Sequence, residues 1–185
     1  MKLDVRPLSL PDVKLIRTKR IEDLRGYFAE AYAFRDFAAA GIADEFVQDN
    51  QSFSKAAGTV RGLHFQIPPY AQAKLVRVLR GKILDVVVDL RRASATYGKH
   101  LTIVLSAENG DQLYVPIGFA HGFCTLVPET EVFYKVNNVY SSAHDRGLNW
   151  ADPALGIDWP VNESQAILSD KDRVLPMLGT LSGYF

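Results

Sequence analysis

Cysteine is almost missing from this chain: Cys124 is the only one in 185 residues. A lone thiol excludes an intramolecular disulfide and a Cys-rich zinc site, and its ordinary reading is a small buried apolar residue. An excess of charge is missing too. Lys plus Arg and Asp plus Glu are both 21, so no basic surface argues for nucleic acid or an anionic membrane as a partner. Single arginines can still meet a phosphate. The opening MKLDVRPLSLPDV has no apolar leader core, and no apolar run reaches membrane-spanning length. The expectation is a cytoplasmic protein. No glycine-rich phosphate loop or dinucleotide fingerprint occurs. Internal repeats, low-complexity runs and flexible linkers are lacking as well. With 48% hydrophobic and 23% charged residues, one domain over residues 1–185 with a full-sized core is expected.

What is present is a series of short strand patterns. DVKLIRTKRIED reads as a strand and LRG as a turn, GYFAEAYA alternates weakly, and FRDFAAAG predicts a short helix with Gly41 at its C-cap. EFVQDNQSFS, TVRGLHFQ, KLVRVLR, KILDVVVDLR, HLTIVLS, QLYVP, HGFCTLV and TEVFYKVNNVY read as strands. Their turn signals recur every ~8–12 residues, which indicates an all-β sandwich or barrel. An antiparallel jelly roll with short peripheral helices fits best, and its edges make a strand-sharing dimer plausible. In KILDVVVDLR, alternation is expected to turn Leu84, Val86, Val88 and Leu90 inward and Asp85, Val87 and Asp89 outward. From Ser141 to Phe185 the texture changes to a loop-rich tail with two Trp, expected to pack over the body.

The chemistry concentrates in RGLHFQIPPYAQAK, Arg61 to Lys74. If RGLHFQ is a strand, Gly62, His64 and Gln66 share one face and Arg61, Leu63 and Phe65 the other. Lys74 shares a face with Val76 and Val78, which is costly unless the ammonium has a partner or a task. An inward His beside a carboxylate, here Asp170 or Asp172 of SDKD, is a general base. An inward Lys is a cationic hole for an enolate. Tyr134 is a weak acid able to deliver a proton from the opposite side. Together they provide what racemisation or epimerisation next to a carbonyl requires. Each residue also has a plain structural alternative: a satisfied core His, a packing Tyr, a solvated acidic turn. Arg25 and Arg61 each adjoin a Gly that allows close approach of a phosphate, Gln48, Asp49 and Asn50 add polar groups, and Tyr140 is suited to stacking on a base.

Gly110 to His121, with Gly-x5-Pro-x-Gly-x2-His spacing, resembles the second sequence motif of the cupin barrels, where the His is a metal ligand. The partner ligands would be a His-x-His pair and a Glu. The matching stretch reads His64-Phe65-Gln66, followed by Lys74, a cation with no lone pair to give. A cupin-like barrel without metal is expected.

FVQDNQS, VRGLHFQ, AQAKLVRV, ILDVVVDLR, LSAEN, GFAHGF, EVFYK, LNWADPALGIDWP and ILSDKD together resemble the dTDP-4-dehydrorhamnose 3,5-epimerase family, in order and over nearly the whole chain. The resemblance implies a jelly-roll homodimer without cofactor or metal. Its substrate would be a dTDP-4-dehydro-6-deoxyhexose, inverted at C3 and C5 on the route to dTDP-L-rhamnose. It implies His64 as proton acceptor, Asp172 as its dyad partner, Lys74 as enolate stabiliser and Tyr134 as opposing donor. Arg25, Glu30, Gln48, Asp49, Asn50, Arg61, Lys74, His121 and Lys171 match nucleotide-sugar contacts, and Tyr140 the residue that stacks on thymine. Asp145 holds a contact position where Glu is as common. Leu24 and Gln51 replace more polar residues. Similar folds host C3-only and C5-only epimerases, and a nucleotide-sugar-binding cupin without catalysis is the alternative of a different class. Arg61 as a diphosphate contact conflicts with simple alternation; either a bulge at Gly62 or a substrate wrapping round the strand end would reconcile it with His64.

Overall fold

The computed structural model describes residues 3–185; Met1 and Lys2, at the start of the stretch read as lacking a leader, lie outside the described residues. Alternating side chains in the first half produce β1 (Leu3–Pro7), β2 (Lys14–Thr18), β5 (Gln48–Ser54), β6 (Val60–Gln66) and β7 (Lys74–Arg80), with a hairpin β3 (Ile21–Asp23) and β4 (Gly26–Phe28) between β2 and β5. Then come β8 (Lys82–Asp89), β9 (His100–Ser106), β10 (Asp111–Val115), β11 (Phe119–Thr125), β12 (Thr130–Val136) and β13 (Asp145–Gly147). One sheet has the order β1-β2-β10-β7-β12-β5 and the other β13-β6-β11-β8-β9. Neighbouring strands run antiparallel throughout. This is the all-β, cupin-like jelly roll expected, with two short helices, α1 (Phe34–Ala39) and α2 (Asp170–Arg173), outside the sheets. Among the described residues no helix is long and apolar enough to cross a membrane.

The N-terminal segment is divided more finely than its pattern predicts. LDVRP forms a strand of its own, and DVKLIRTKRIED divides into β2 and β3. The short helix forms over Phe34–Ala39 with Ala40 as its cap residue, and Gly41 follows at φ +79°.

The core lies between the sheets. Val76, Val78, Leu113, Val115 and Val132 of the first meet Ile83, Val87, Leu105, Phe119 and Phe123 of the second. Burial of each such side chain contributes about 1.5–3 kcal/mol. Over β6, β8 and β11 the second sheet is covered on its outer face as well. Leu63, Phe65, Val86, Val88, Leu90 and Ala120 pack outward against Leu148, Leu155, Ile157, Trp159, Tyr184 and Phe185, so residues after β12 form its cover. This reverses the face expected for β8. Val87 packs between the sheets, while Leu84, Val86, Val88 and Leu90 pack under the tail, and Asp85 and Asp89 are fully buried. Alternation identifies two faces but cannot name the wetter one when neither is wet.

One irregularity shapes the site. Along β11, His121 opposes His64 and Phe123 opposes Arg61, so a single residue of β11 faces two of β6. The extra residue in β6 is a bulge at Gly62 and Leu63. Gly62 adopts φ +121°, and a Cβ there would lie 2.7 Å from Gly122 Cα and 2.9 Å from the His121 carbonyl oxygen. Leu63 and Phe65 remain in the outer core, while Arg61 and His64 border the same cavity.

Candidate active site

A cavity of about 440 Å³ opens between β5, β7 and β12 of one sheet and β6 and β11 of the other, closed at one side by residues 167–172. A second lobe of about 390 Å³ shares His64, Lys74, Tyr134 and Lys171 with it and extends to Gln48, Asn50, Gln66, Gln72, Tyr140 and Asp145. Rigid strands from facing sheets thus present groups to one space from two sides.

His64 Nε2 lies 2.6 Å from Asp172 Oδ1. Asp172 sits in α2, whose start is capped by Ser169: the Asp172 amide donates to Ser169 Oγ at 3.2 Å. The Gly62 amide donates a longer bond to Asp172 Oδ2, 3.4 Å. Burial works to raise the Asp172 carboxyl, but the hydrogen bonds and the neighbouring His64 ring outweigh it and hold the group below the usual carboxylate range. A carboxylate facing Nε2 fixes the proton on that nitrogen, so Nδ1 carries the lone pair.

Lys74 is only 8% exposed and its Nζ donates to the His64 carbonyl at 3.1 Å. Burial lowers its pKa to about 8, with Asp85 and Asp145 opposing that fall and Lys171 adding to it. It is a poorly solvated ammonium with donors to spare, suited to an oxygen that gains negative charge. Tyr134 stands on β12 across the cavity from β6. Burial raises its pKa, Arg61 works against the rise and Asp145 with it, so the phenol keeps its proton at neutral pH. Arg61 is steadied by Ser54 Oγ at 3.1 Å and the Phe53 carbonyl at 3.0 Å.

The second lobe is a hydrogen-bonded frame. Gln48 Nε2 donates to Asn50 Oδ1 at 2.8 Å, and its Oε1 accepts from the Tyr140 amide at 3.1 Å. The Tyr140 hydroxyl donates to Asp145 Oδ2 at 3.2 Å, and Lys171 pairs with the same carboxylate. Gln66 donates to the Tyr70 and Val139 carbonyls and accepts from the Ser141 amide. Tyr140 is 58% exposed beside the lobe.

Most of the expected site residues therefore converge: His64, Asp172, Lys74, Tyr134, Arg61, His121, Lys171, Gln48, Asn50, Tyr140 and Asp145. Three do not. Asp49 alternates to the outer face of β5 and pairs with Lys135 at 2.8 Å. Arg25 lies at the tip of the β3–β4 hairpin, ion-paired with Asp23. Glu30 borders a different hollow with Ile21 and Phe28. Asp170, the other acid of SDKD, is exposed. Two further groups reach the site that the sequence pattern does not place there. Asp85, assigned outward, binds His121 Nε2 with both oxygens at 3.0 and 2.9 Å. Ser52 Oγ is buried at the cavity edge with no hydrogen-bond partner among the described residues. Among the described residues no group of three or more His, Cys, Asp or Glu side chains is placed to hold a metal ion.

Comparison with known proteins adds identity to this geometry. The family model described as dTDP-4-dehydrorhamnose 3,5-epimerase matches residues 7–180. The dTDP-4-dehydrorhamnose 3,5-epimerase of Sinorhizobium fredii is 54% identical over 172 residues, covering 92% of this chain and 87% of the relative. The crystal structure of dTDP-4-dehydrorhamnose 3,5-epimerase from Bacillus anthracis, with TDP and PPi bound, superposes with a TM-score of 0.92 at 50% identity, over 95% of this chain and 99% of that one. The dTDP-6-deoxy-D-glucose-3,5-epimerase of Legionella pneumophila, in complex with dTDP-4-keto-L-rhamnose, gives a TM-score of 0.92 at 38% identity, covering 97% and 95%. The chain belongs to the dTDP-4-dehydrorhamnose 3,5-epimerase family.

Proposed function

We propose that this protein inverts C3 and C5 of dTDP-4-dehydro-6-deoxy-D-glucose to give dTDP-4-dehydro-β-L-rhamnose, in dTDP-L-rhamnose biosynthesis. The observation that carries the reading is the His64–Asp172 dyad, 2.6 Å apart, on one wall of a cavity whose facing sheet bears Lys74 and Tyr134. Both carbons adjoin the C4 ketone, so one ketone activates both. His64 Nδ1 takes the proton from the carbon. The C–H electron pair forms the new C=C bond while the C4 carbonyl π pair moves onto its oxygen, where the Lys74 ammonium meets the enolate. Collapse of the enolate with a proton from the Tyr134 hydroxyl, on the opposite ring face, inverts the centre; solvent then restores the phenol and takes the abstracted proton from His64. Asp172 orients His64 and stabilises the imidazolium while it holds the abstracted proton. Arg61, His121 and Lys171 are positioned to meet the polar and anionic parts of the substrate. Gln48, Asn50 and Tyr140 frame the lobe that suits a nucleotide, with Tyr140 offering an exposed ring to thymine.

The functional form is read as a cytoplasmic homodimer. Ile21, Leu24, Tyr27 and Phe28 expose apolar surface on the β3–β4 hairpin, which would be covered by a second copy. Arg25 and Glu30, remote from this chain's cavity, would then serve the partner's site. Incubation with dTDP-4-dehydro-6-deoxyglucose in D2O, followed by NMR, tests the activity. Deuterium at both C3 and C5 is expected. Incorporation at one carbon only identifies a monoepimerase, and incorporation at neither refutes the assignment. His64→Ala should abolish exchange while dTDP binding persists.

A further inference from the structure

The mechanism above leaves one buried anion without a task. Asp85 is 0% exposed, on the β8 face that points between the sheets. Its two oxygens both lie against His121 Nε2, at 3.0 and 2.9 Å, and no other hydrogen bond reaches its side chain among the described residues. A carboxylate this deep is costly unless cations compensate it. It would be replaced by an apolar residue without loss if only packing mattered, since Val87 and Phe123 beside it already form core. His121 borders the cavity, and its Nδ1 has no protein partner among the described residues. Because the carboxylate faces Nε2, the proton sits there, and Nδ1 is the atom left for a ligand.

Resting on the epimerase reading, we propose that Asp85 is a positioning residue for the reaction: it holds the His121 ring with Nδ1 free for substrate and is a fixed buried anion that favours the Lys74 ammonium. Other charged and titratable groups approach Lys74 from several elements. They are His64 and Arg61 on β6, Tyr134 on β12, His121 on β11, Asp145 on β13, and Lys171 and Asp172 on α2. Of the acids acting on Lys74, Asp85 exerts the largest upward pull and Asp145 the next, while burial and Lys171 pull down. Asp145 is already engaged by Lys171 and Tyr140 at the cavity rim. Among the described residues Asp85 has no hydrogen-bond partner besides His121, and its charge acts on Lys74 to raise the ammonium's pKa. Removing it leaves burial unopposed from that side, and the ammonium loses its proton at lower pH.

The test is Asp85→Asn in the full-length chain, with turnover followed across pH 6–10. Three results are expected. kcat falls by about tenfold or more, as for loss of a group that orients a ligand-binding His. KM for the dTDP-sugar changes less than about threefold. The alkaline limb of kcat moves down by about one pH unit, the shift that a tenfold change in the Lys74 proton equilibrium produces. An unmoved alkaline limb, or a rise in KM alone, overturns the proposal. A second measurement needs no variant: nitrogen-15 NMR of the His121 ring in the wild type. Protonated Nε2 with unprotonated Nδ1 is expected, and the opposite tautomer overturns the proposal even if the variant does not fold. If the wild type itself fails to exchange C3 and C5 protons, the epimerase reading falls. The NMR tautomer still reports separately on the Asp85–His121 arrangement.

Discussion

Asp172→Asn should cost this enzyme about 10²–10³ in kcat. The substitution keeps the shape of the side chain and removes its charge. In the wild type, Asp172 faces His64 Nε2 at 2.6 Å. Its side chain is almost buried, while that of His64 is 33% exposed. Unit charges near 4 Å interact by about 4 kcal/mol at an effective dielectric of 20. That energy appears only once His64 holds the substrate proton, so it belongs to the transition state and intermediate rather than to binding. Solvent access to the ring discounts it to about 3 kcal/mol, or about a hundredfold in rate. A carboxamide can also present its NH2 to Nε2 and force the wrong tautomer, which extends the loss toward a thousandfold. Deuterium incorporation at C3 and C5, followed by NMR under saturating substrate, reads the rate directly, and calorimetry with dTDP reads binding. Binding should stay within about threefold. Exchange within about fivefold of wild type in a folded variant would refute the dyad. Equal loss of binding and exchange would refute it in favour of a structural role. The Asp172 carboxyl is depressed in the folded state. It therefore contributes stability above the ordinary carboxylate range that is lost as pH falls through its folded value, and the melting difference between wild type and variant should narrow in acid.

Lys74 gives opposite signs for activity and stability. Its ammonium titrates at about 8 in the fold against 10.5 unperturbed, so activity should fall as pH rises through about 8. Between those two values the unfolded chain holds a proton that the folded chain has released. This group's contribution to stability therefore rises with pH, on the order of 3 kcal/mol in full. Lys74→Met should remove that rise in pH-dependent denaturation and lower kcat by about 10²–10³; a parallel pH dependence in both proteins would contradict the buried-ammonium account. Tyr134→Phe should still wash deuterium into the substrate through His64 but lower formation of the inverted product by about 10² or more, seen by NMR of the sugar spin systems. Gly62→Ala should destabilise the fold by about 2–4 kcal/mol in urea melts, because its Cβ would meet Gly122 Cα at 2.7 Å and its φ is +121°.

The strands that carry the chemistry were readable because their pattern is local. Pro68 and Pro69 end one run, Lys74 begins the next, and His64 and Lys74 fall on faces that alternation assigns. Asp49 could have been removed from the site by the same rule, since Gln48 and Asn50 flank it on the other face of β5. Asp85 could not have been placed. Its strand has an apolar partner on either side, one supplied by residues some sixty or more positions away in the tail, and period-2 alternation carries no sign. The Arg61–His64 conflict was visible as a conflict. Its resolution depends on an unequal pairing count between β6 and β11, which is a property of two strands and of neither alone. Arg25 and Glu30 mark a different limit, because a single chain does not bring the β3–β4 hairpin to its own cavity.

The cover over the second sheet has one more consequence. His64 belongs to a strand whose outer face, with Leu63 and Phe65, is packed under the tail, whereas Asp172 hangs from a four-residue helix reached through the loop-rich tail. Local opening free energies scale with such differences in packing. The proposed base and its carboxylate are therefore held by elements of different packing, a sheet strand and a short helix of the tail. Catalytic competence becomes a report on whether the tail is docked, and it should vanish at a milder denaturant concentration than the sheets themselves.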